Sequence, residues 1–185
     1  MMAHPCRSRA CPSVDNPDRS TAHIGEEQME IVKGPTFRVH VDAPPERVYS
    51  YVADFTRHPE WSPDEMKIEA VTPGPTRVGS TYKAEGTLQG KRNRSELQVT
   101  ALTPSSRIAF TATDKSGPLF HTFTFTSQDG GTLVERNLAA PRLPFAQQAL
   151  RTALMLIFLP IAVRPNFMKA LNMMKANVEG EHSRR

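Results

Sequence analysis

The chain has 185 residues, of which 38% are hydrophobic and 23% charged, with a formal net charge of +4. This length suits one domain of ordinary size with a tail. Basic and acidic residues are interleaved through most of the chain, so they form no concentrated basic face. We therefore expect no nucleic-acid partner.

The two cysteines, Cys6 and Cys11, both lie near the N-terminus. A disulfide framework therefore does not hold the fold together, which favours a reducing, cytoplasmic location. The basic residues near the N-terminus are not followed by an apolar stretch, so no signal peptide is predicted. Because the C-x4-C spacing lacks two further ligands and no cofactor-binding motif is visible, we expect neither a metal site nor a cofactor.

Residues 1–28 differ in composition from the rest of the chain, since they are rich in polar residues and proline and show no hydrophobic period. Such a segment predicts a disordered tail. Patterned sequence begins at Met29, and Met29 is also a plausible alternative start of translation. We predict a folded domain over residues 29–180 and a short disordered C-terminus over 181–185.

The first elements of this domain are a strand and two short helices. Apolar and polar residues alternate over Thr36–Val41, which is the pattern of a half-buried strand. The following Pro44-Pro45 pair indicates a helix start, because the first helical turn needs no backbone donor. This helix should end near Asp54, and a second short helical turn is predicted around Phe55–Trp61.

From there to about residue 140 the sequence alternates between strands and turns. Apolar residues at every second position predict strands around Ile68–Ala70, Tyr82–Ala84, Leu97–Ala101, Ile108–Ala112, His121–Phe125 and Leu133–Leu138. The connections are short, and parallel strands would need a dozen or more residues between them. The pattern therefore predicts an antiparallel meander.

The sequence becomes helical from about Pro144 to Val178. An apolar stripe along this helix consists of Phe167, Leu171, Met174 and Val178. Proline removes a backbone donor and clashes with the preceding turn, so we expect a break or kink at Pro160 and Pro165.

Four short segments carry a family resemblance. They are VHVDAPPERVY at 39–49, ADFTRHPEWSP at 53–63, GSTY at 79–82 and DGGTLV at 129–134. In this order they resemble the START-like superfamily, also called SRPBCC, which includes the polyketide cyclase/dehydrase family. The resemblance implies an α+β helix-grip fold. In such a fold a curved antiparallel sheet of about seven strands, two short helices and a long C-terminal helix enclose a cavity.

The inward-facing residues predict a binding site for a small hydrophobic molecule, such as a lipid, an isoprenoid or a polyketide-like compound. The candidate ligand-binding residues are Trp61, Tyr82, Leu97, Phe110, His121, Phe123, Phe125 and Ile157. We assign no catalytic residue, because no nucleophile, metal or phosphate-binding motif stands out. The alternatives are a polyketide cyclase or dehydratase, with His121 and Tyr82 as its acid–base pair, and a protein that binds a partner through the same groove.

Several of these residues also have a purely structural interpretation. A buried, hydrogen-bonded histidine is the favoured interpretation of His121, and a packing anchor is favoured for Trp61. Ligand contact and ring packing are equally plausible for Tyr82. Glu135 and Arg136 alternate on the last strand, so only one of them can face inward, and paired surface charges are the default expectation.

The apolar run Ala153–Val163 has two interpretations. It can form a wall of the cavity, or it can contact a membrane surface transiently while a lipid is picked up. We favour the wall, because the apolar face of the sheet needs a cover and an exposed patch of that size promotes association. The sequence gives no indication of an oligomeric state.

Overall fold

The computed structural model describes residues 30–88 and 91–182 of the chain. The predictions for the N-terminal tail, the start at Met29 and the two cysteines lie outside the described residues, as do residues 183–185 of the predicted disordered C-terminus.

One seven-stranded antiparallel sheet forms the body of the domain. Its strands are β1 Ile31–Val41, β2 Met66–Ala70, β3 Thr81–Leu88, β4 Lys91–Thr103, β5 Arg107–Asp114, β6 Gly117–Gln128 and β7 Gly131–Pro141. Their order is β1-β7-β6-β5-β4-β3-β2. Strands β2 to β7 therefore form the predicted meander, and β1 pairs with β7 to become the far edge. This arrangement confirms the α+β helix-grip prediction.

Two short helical elements follow β1, as predicted. They are α1 Pro45–Ala53 and a 3₁₀ helix Phe55–Trp61. Helix α1 begins with a proline, which needs no amide donor there. The side chain of Asp54 caps the 3₁₀ helix by accepting a hydrogen bond from the Thr56 amide at 3.1 Å.

The C-terminal helical region consists of α2 Phe145–Phe158, a π-helical turn Leu159–Val163 and α3 Arg164–His182. We expected a break or kink at Pro160 and Pro165, and the chain does not break there, although the α-helix is interrupted around Pro160. The chain remains helical through both of them, and the π-helical turn accommodates the backbone donor that Pro160 lacks.

Helix α3 packs across the concave face of the sheet. Leu171, Met174 and Val178, three members of the predicted stripe, are buried in the core. The fourth, Phe167, stacks on Phe37 of β1 with ring centroids 4.9 Å apart. The apolar stripe therefore makes the contacts that its spacing predicts.

Helix α2 differs from α3, because none of its apolar residues is buried. The side chain of Ile157 is 58% exposed. The prediction that Ala153–Val163 forms a wall of the cavity is therefore wrong. The cavity is lined by the sheet, the 3₁₀ helix with the loop after it, and α3, and no residue of 153–163 is among its lining.

Candidate functional site

A cavity of about 220 Å³ lies between the concave face of the sheet, the 3₁₀ helix with the loop after it, and α3. Four of the predicted ligand-binding residues, Trp61, Leu97, Phe110 and His121, line it. Other apolar lining comes from Met66, Ile68, Ala84, Ala112, Phe167 and Ala170. The antiparallel register explains part of this grouping, because Phe110 of β5 pairs with His121 of β6. The two rings stack with centroids 4.6 Å apart.

The other four predicted residues do not line this cavity. The Tyr82 hydroxyl lies 2.8 Å from Thr76 Oγ1, and the Tyr82 ring stacks on Phe55. Both Phe123 and Phe125 are buried in the core behind the lining residues. The fourth, Ile157, is exposed on α2. Consequently His121 and Tyr82 do not meet in the cavity as an acid–base pair.

The most polar group of the cavity wall is the guanidinium of Arg136 on β7. Strand pairing places Arg136 opposite Phe37 of β1 and Phe123 of β6, and so directs it to the concave face. Its neighbour Glu135 points the other way and pairs with Arg38 at the surface, at 2.5 Å. The expectation that Glu135 and Arg136 are both surface charges is therefore wrong for Arg136.

Aromatic rings surround the guanidinium. Its carbon lies 4.6 Å from the centroid of the Phe167 ring, 5.1 Å from that of Phe123 and 5.9 Å from that of Trp61. These ring faces attract a cation but do not neutralise it. Within the described part of the chain, no carboxylate forms an ion pair with Arg136, and its Nε is buried without a hydrogen-bond partner. Burial lowers the pKa of Arg136 to about 9, so the side chain stays charged at neutral pH.

Among the described residues, Arg136 makes one polar side-chain contact, with His121. Its Nη2 lies 3.2 Å from His121 Nδ1. Because a guanidinium can only donate, His121 must accept through Nδ1 and carry its own proton on Nε2. Burial, and secondly the nearby Arg136 charge, lower the pKa of His121 well below its ordinary value. A neutral His121 is therefore held as a second donor in the cavity wall.

His58 of the 3₁₀ helix is the second buried histidine of the cavity lining. Its Nε2 donates to the Val52 carbonyl at 2.9 Å, which fixes the ring against α1. Desolvation by burial lowers the pKa of His58 to about 4, so this imidazole is also neutral at pH 7. Arg136 is thus the one group in the deep part of the described lining that is charged at neutral pH.

The rim of the cavity is polar. Asp64, Glu85 and Asn93 contribute to it from three separate segments, and Asn166 joins from the first turn of α3. Asn166 Nδ2 lies 3.5 Å from Asp64 Oδ2, so the loop before β2 and the start of α3 meet at the rim. The arrangement is an apolar chamber with hydrogen-bond donors inside and acidic groups at its edge.

Sequence inspection missed Arg136, and it gave His58 no role beyond its place in the predicted helical turn around Phe55–Trp61. The alternation of side chains along a strand could have identified Arg136, since residues 134, 136 and 138 lie on the same face of β7. Val134 and Leu138 are both buried. Leu133 and Leu138 are five positions apart and point to opposite faces, so the apolar pattern of β7 alone did not select a face. For His58 no sequence signal was available, because its burial depends on the packing of the 3₁₀ helix.

In residues 30–88 and 91–182, no three histidine, cysteine, aspartate or glutamate side chains are grouped so that they could hold a metal ion.

Comparison with known structures places this architecture among many solved proteins. The Zhui aromatase/cyclase from Streptomyces sp. R1128 is 18% identical with a TM-score of 0.61, over 81% of this chain and 94% of that one. Ara h 8.0201 is 12% identical with a TM-score of 0.59, over 82% and 99%. Protein CV1439 from Chromobacterium violaceum is 24% identical with a TM-score of 0.54, over 79% and 99%. At these identities the likeness shows the fold alone.

A search of the curated proteins finds no significant match. A family model described as polyketide cyclase / dehydrase and lipid transport matches residues 36–179. This range holds all seven strands except the start of β1, and it includes the cavity, α2 and almost all of α3. The chain therefore belongs to the polyketide cyclase/dehydrase and lipid transport family, as the sequence resemblance predicts.

Proposed function

We propose that this protein binds a small, mostly apolar molecule that carries a carboxylate, a phenolate or a carbonyl oxygen. The observation that supports this proposal best is the guanidinium of Arg136 in an aromatic cavity, where no carboxylate of the described residues pairs with it and its Nε has no hydrogen-bond partner. A buried charge without a partner is costly, and such groups are retained where a ligand completes them. The ligand oxygen would accept hydrogen bonds from Arg136, and the rings would contact its apolar body.

The size of the cavity limits the ligand. Its 220 Å³ lies below the roughly 300–1,000 Å³ of sites for drug-sized ligands. A molecule of one or two fused rings, or one short chain, fits this space better than a lipid with two acyl chains. We therefore place the ligand among small isoprenoid, aromatic or polyketide-like acids and ketones.

Titration calorimetry with two matched probes tests this proposal. 1-Naphthoate and 1-naphthalenemethanol share one ring system, but only the first carries an anionic oxygen. We expect naphthoate to bind at least about tenfold more tightly, because a charge-assisted hydrogen bond to a buried guanidinium is stronger than a neutral one. Equal affinity of the two probes, or binding of neither, would count against the proposal. Mass spectrometry of small molecules that co-purify with the native protein would then identify the natural class.

A second candidate function is a cyclase or dehydratase that acts on a polyketide-type substrate in the same cavity. It is favoured by one observation, the contact between Arg136 and His121. In such a reaction Arg136 would stabilise an enolate oxygen, and a base would remove the neighbouring carbon-bound proton. The lone pair of His121 Nδ1, however, already accepts from Arg136, and a lowered pKa makes an imidazole a weak base. Binding without turnover is therefore the leading function. The test is loss of water from a linear poly-β-ketone thioester, detected by mass spectrometry. If the protein catalyses this loss and the His121→Phe variant does not, the cyclase or dehydratase becomes the leading function.

A further inference from the structure

Helix α2 and the following π-helical turn form an apolar projection on the surface of the domain. Seven of its large apolar residues are exposed, namely Phe145, Leu150, Leu154, Met155, Leu156, Ile157 and Phe158, and Ile161 follows in the turn. Their exposed fractions reach 72% at Leu156 and 90% at Phe145. A monomeric soluble domain rarely exposes so continuous an apolar surface unless something binds there.

We propose that this projection binds the surface of an anionic lipid bilayer and inserts into one leaflet. The proposal concerns a surface outside the cavity and does not depend on the proposed ligand. Three observations support it: the distribution of the apolar residues around the helix, the charges along this stretch of sequence, and the way in which α2 is tethered to β7.

Over its last five residues, 154–158, α2 is apolar on every side, whereas the part before them also carries the polar residues Gln147, Gln148, Arg151 and Thr152. Leu154, Met155, Leu156 and Ile157 are consecutive, so at about 100° per residue they point in four different directions. All four are at least 37% exposed. A partner helix or a second copy of the chain would cover one side of α2 and leave the apolar residues on its other sides in water. A fluid hydrocarbon phase contacts every side at once.

The charges along this stretch complement an anionic membrane. The sequence from residue 136 to residue 178 contains no aspartate or glutamate. Arg151, Arg164 and Lys169 lie within or beside the projection, and Arg164 and Lys169 are exposed directly after its apolar part. A fourth basic residue beside it, Arg142, forms an ion pair with Glu30. Basic side chains at the ends of an apolar helix can extend toward lipid headgroups and hold the helix at the interface.

The connection to β7 decides between insertion into one leaflet and a complete crossing. By length and composition, the helical run Phe145–Glu181 is long and apolar enough to cross a membrane, and none of its most apolar window is buried. Only the segment from Pro141 to Phe145, however, joins the sheet to the start of α2. The three residues between them give four Cα–Cα steps, which reach about 14 Å when extended, against about 30 Å of hydrocarbon.

A second contact places the middle of α2 beside the sheet. Arg151 Nη1 donates to the Pro141 carbonyl at 3.0 Å, so this part of the helix lies next to the end of β7. With the domain folded, the start of α2 therefore cannot lie on the far side of a bilayer. The other end continues into α3, which packs on the sheet, so the helix can enter one leaflet only.

Vesicle flotation of the full-length protein tests the proposal. The vesicles are phosphatidylcholine alone or phosphatidylcholine mixed with phosphatidylglycerol. We expect the protein to float with the mixed vesicles and to float less with the neutral ones. The double variant Leu156→Asp/Ile157→Asp should reduce partitioning at least about tenfold, because aspartate is strongly disfavoured in hydrocarbon. Its melting temperature should match that of the wild type, since both side chains are exposed.

The matched control is Val71→Asp/Val78→Asp. These two valines lie at the opposite edge of the sheet, before β3, and are 51% and 58% exposed. This variant should float like the wild type. Absence of flotation by the wild-type protein, or an equal loss in both variants, would overturn the proposal. So would a stable dimer in light scattering that the α2 variant dissociates while the wild type ignores vesicles, because α2 would then be an interface between copies.

Discussion

Replacing Arg136 by methionine removes the buried cation and keeps an unbranched side chain of similar length. Burial lowers the pKa of this guanidinium from 12.5 to about 9, which corresponds to roughly 5 kcal/mol of lost solvation of the charge. Cation–π interactions with the three aromatic rings around it offset this loss by about 0.5–2 kcal/mol each. Together the rings offset about 1.5–6 kcal/mol, so removing the charge gains at most about 3.5 kcal/mol. We therefore expect Arg136→Met to raise the free energy of unfolding of the unliganded protein by about 1 kcal/mol, the middle of this range.

The assay is urea denaturation at neutral pH without ligand, followed by calorimetry with 1-naphthoate and 1-naphthalenemethanol. The variant should be more stable than the wild type and should lose the preference for the anionic probe. The control is Arg38→Met on β1, where an exposed arginine pairs with Glu135. It should change stability by less than about 1 kcal/mol and leave probe binding unchanged.

Two results would refute this reasoning. Destabilisation of Arg136→Met by about 3–5 kcal/mol would show that the guanidinium is a structural part of the core, as in a buried ion pair. Retention of the preference for naphthoate would show that another group binds the anionic oxygen.

Three further predictions concern the surroundings of the site. Burial lowers the pKa of His58 from 6.5 to about 4. The unfolded chain therefore binds a proton on His58 in this range that the folded protein does not, so His58 alone should lower stability by roughly 2 kcal/mol between about pH 7 and pH 4.5. His121, whose pKa is also lowered by burial, adds a loss of the same sign, so the total fall should exceed this value. Urea denaturation across this range measures it, and a flat profile would disprove the assignment. Tyr82→Phe should cost about 1 kcal/mol, since it removes the hydroxyl contact with Thr76, and should leave naphthoate affinity unchanged. A Cβ at Gly86 would lie 2.3 Å from the Glu65 carbonyl oxygen, so Gly86→Ala should lower the melting temperature clearly; an unchanged value would contradict this close backbone approach.

Hydrophobic periodicity was enough to predict much of the fold. Period-two alternation located the strands, and the short turns between them required antiparallel pairing. The stripe from Phe167 to Val178 predicted the packing face of α3. These features are local in sequence, because each depends on the backbone geometry of one element, and so they could be predicted without tertiary contacts.

The composition of the site was only partly predictable. Leu97, Phe110 and His121 were identified because alternation assigns them to an inward face, and the structure places all three in the cavity lining. Phe123 was assigned to the same face, but it lies behind the lining, since Arg136 of the adjacent strand covers its ring. Which inward residue reaches a cavity depends on the lengths of its neighbours across the sheet, and a single strand does not contain that information.

The sequence by itself determined that this chain forms an antiparallel sheet with an apolar face and an amphipathic C-terminal helix to cover it. Only the tertiary structure decided that Arg136 faces the cavity and that α2 stays uncovered. Strand register places Arg136 between Phe37 and Phe123, and register is a relation between distant segments. Helix α2 is exposed because α3, α1 and the 3₁₀ helix, and not α2, pack against the sheet. An apolar segment predicts that something covers it, and the fold determines whether the protein itself supplies that cover.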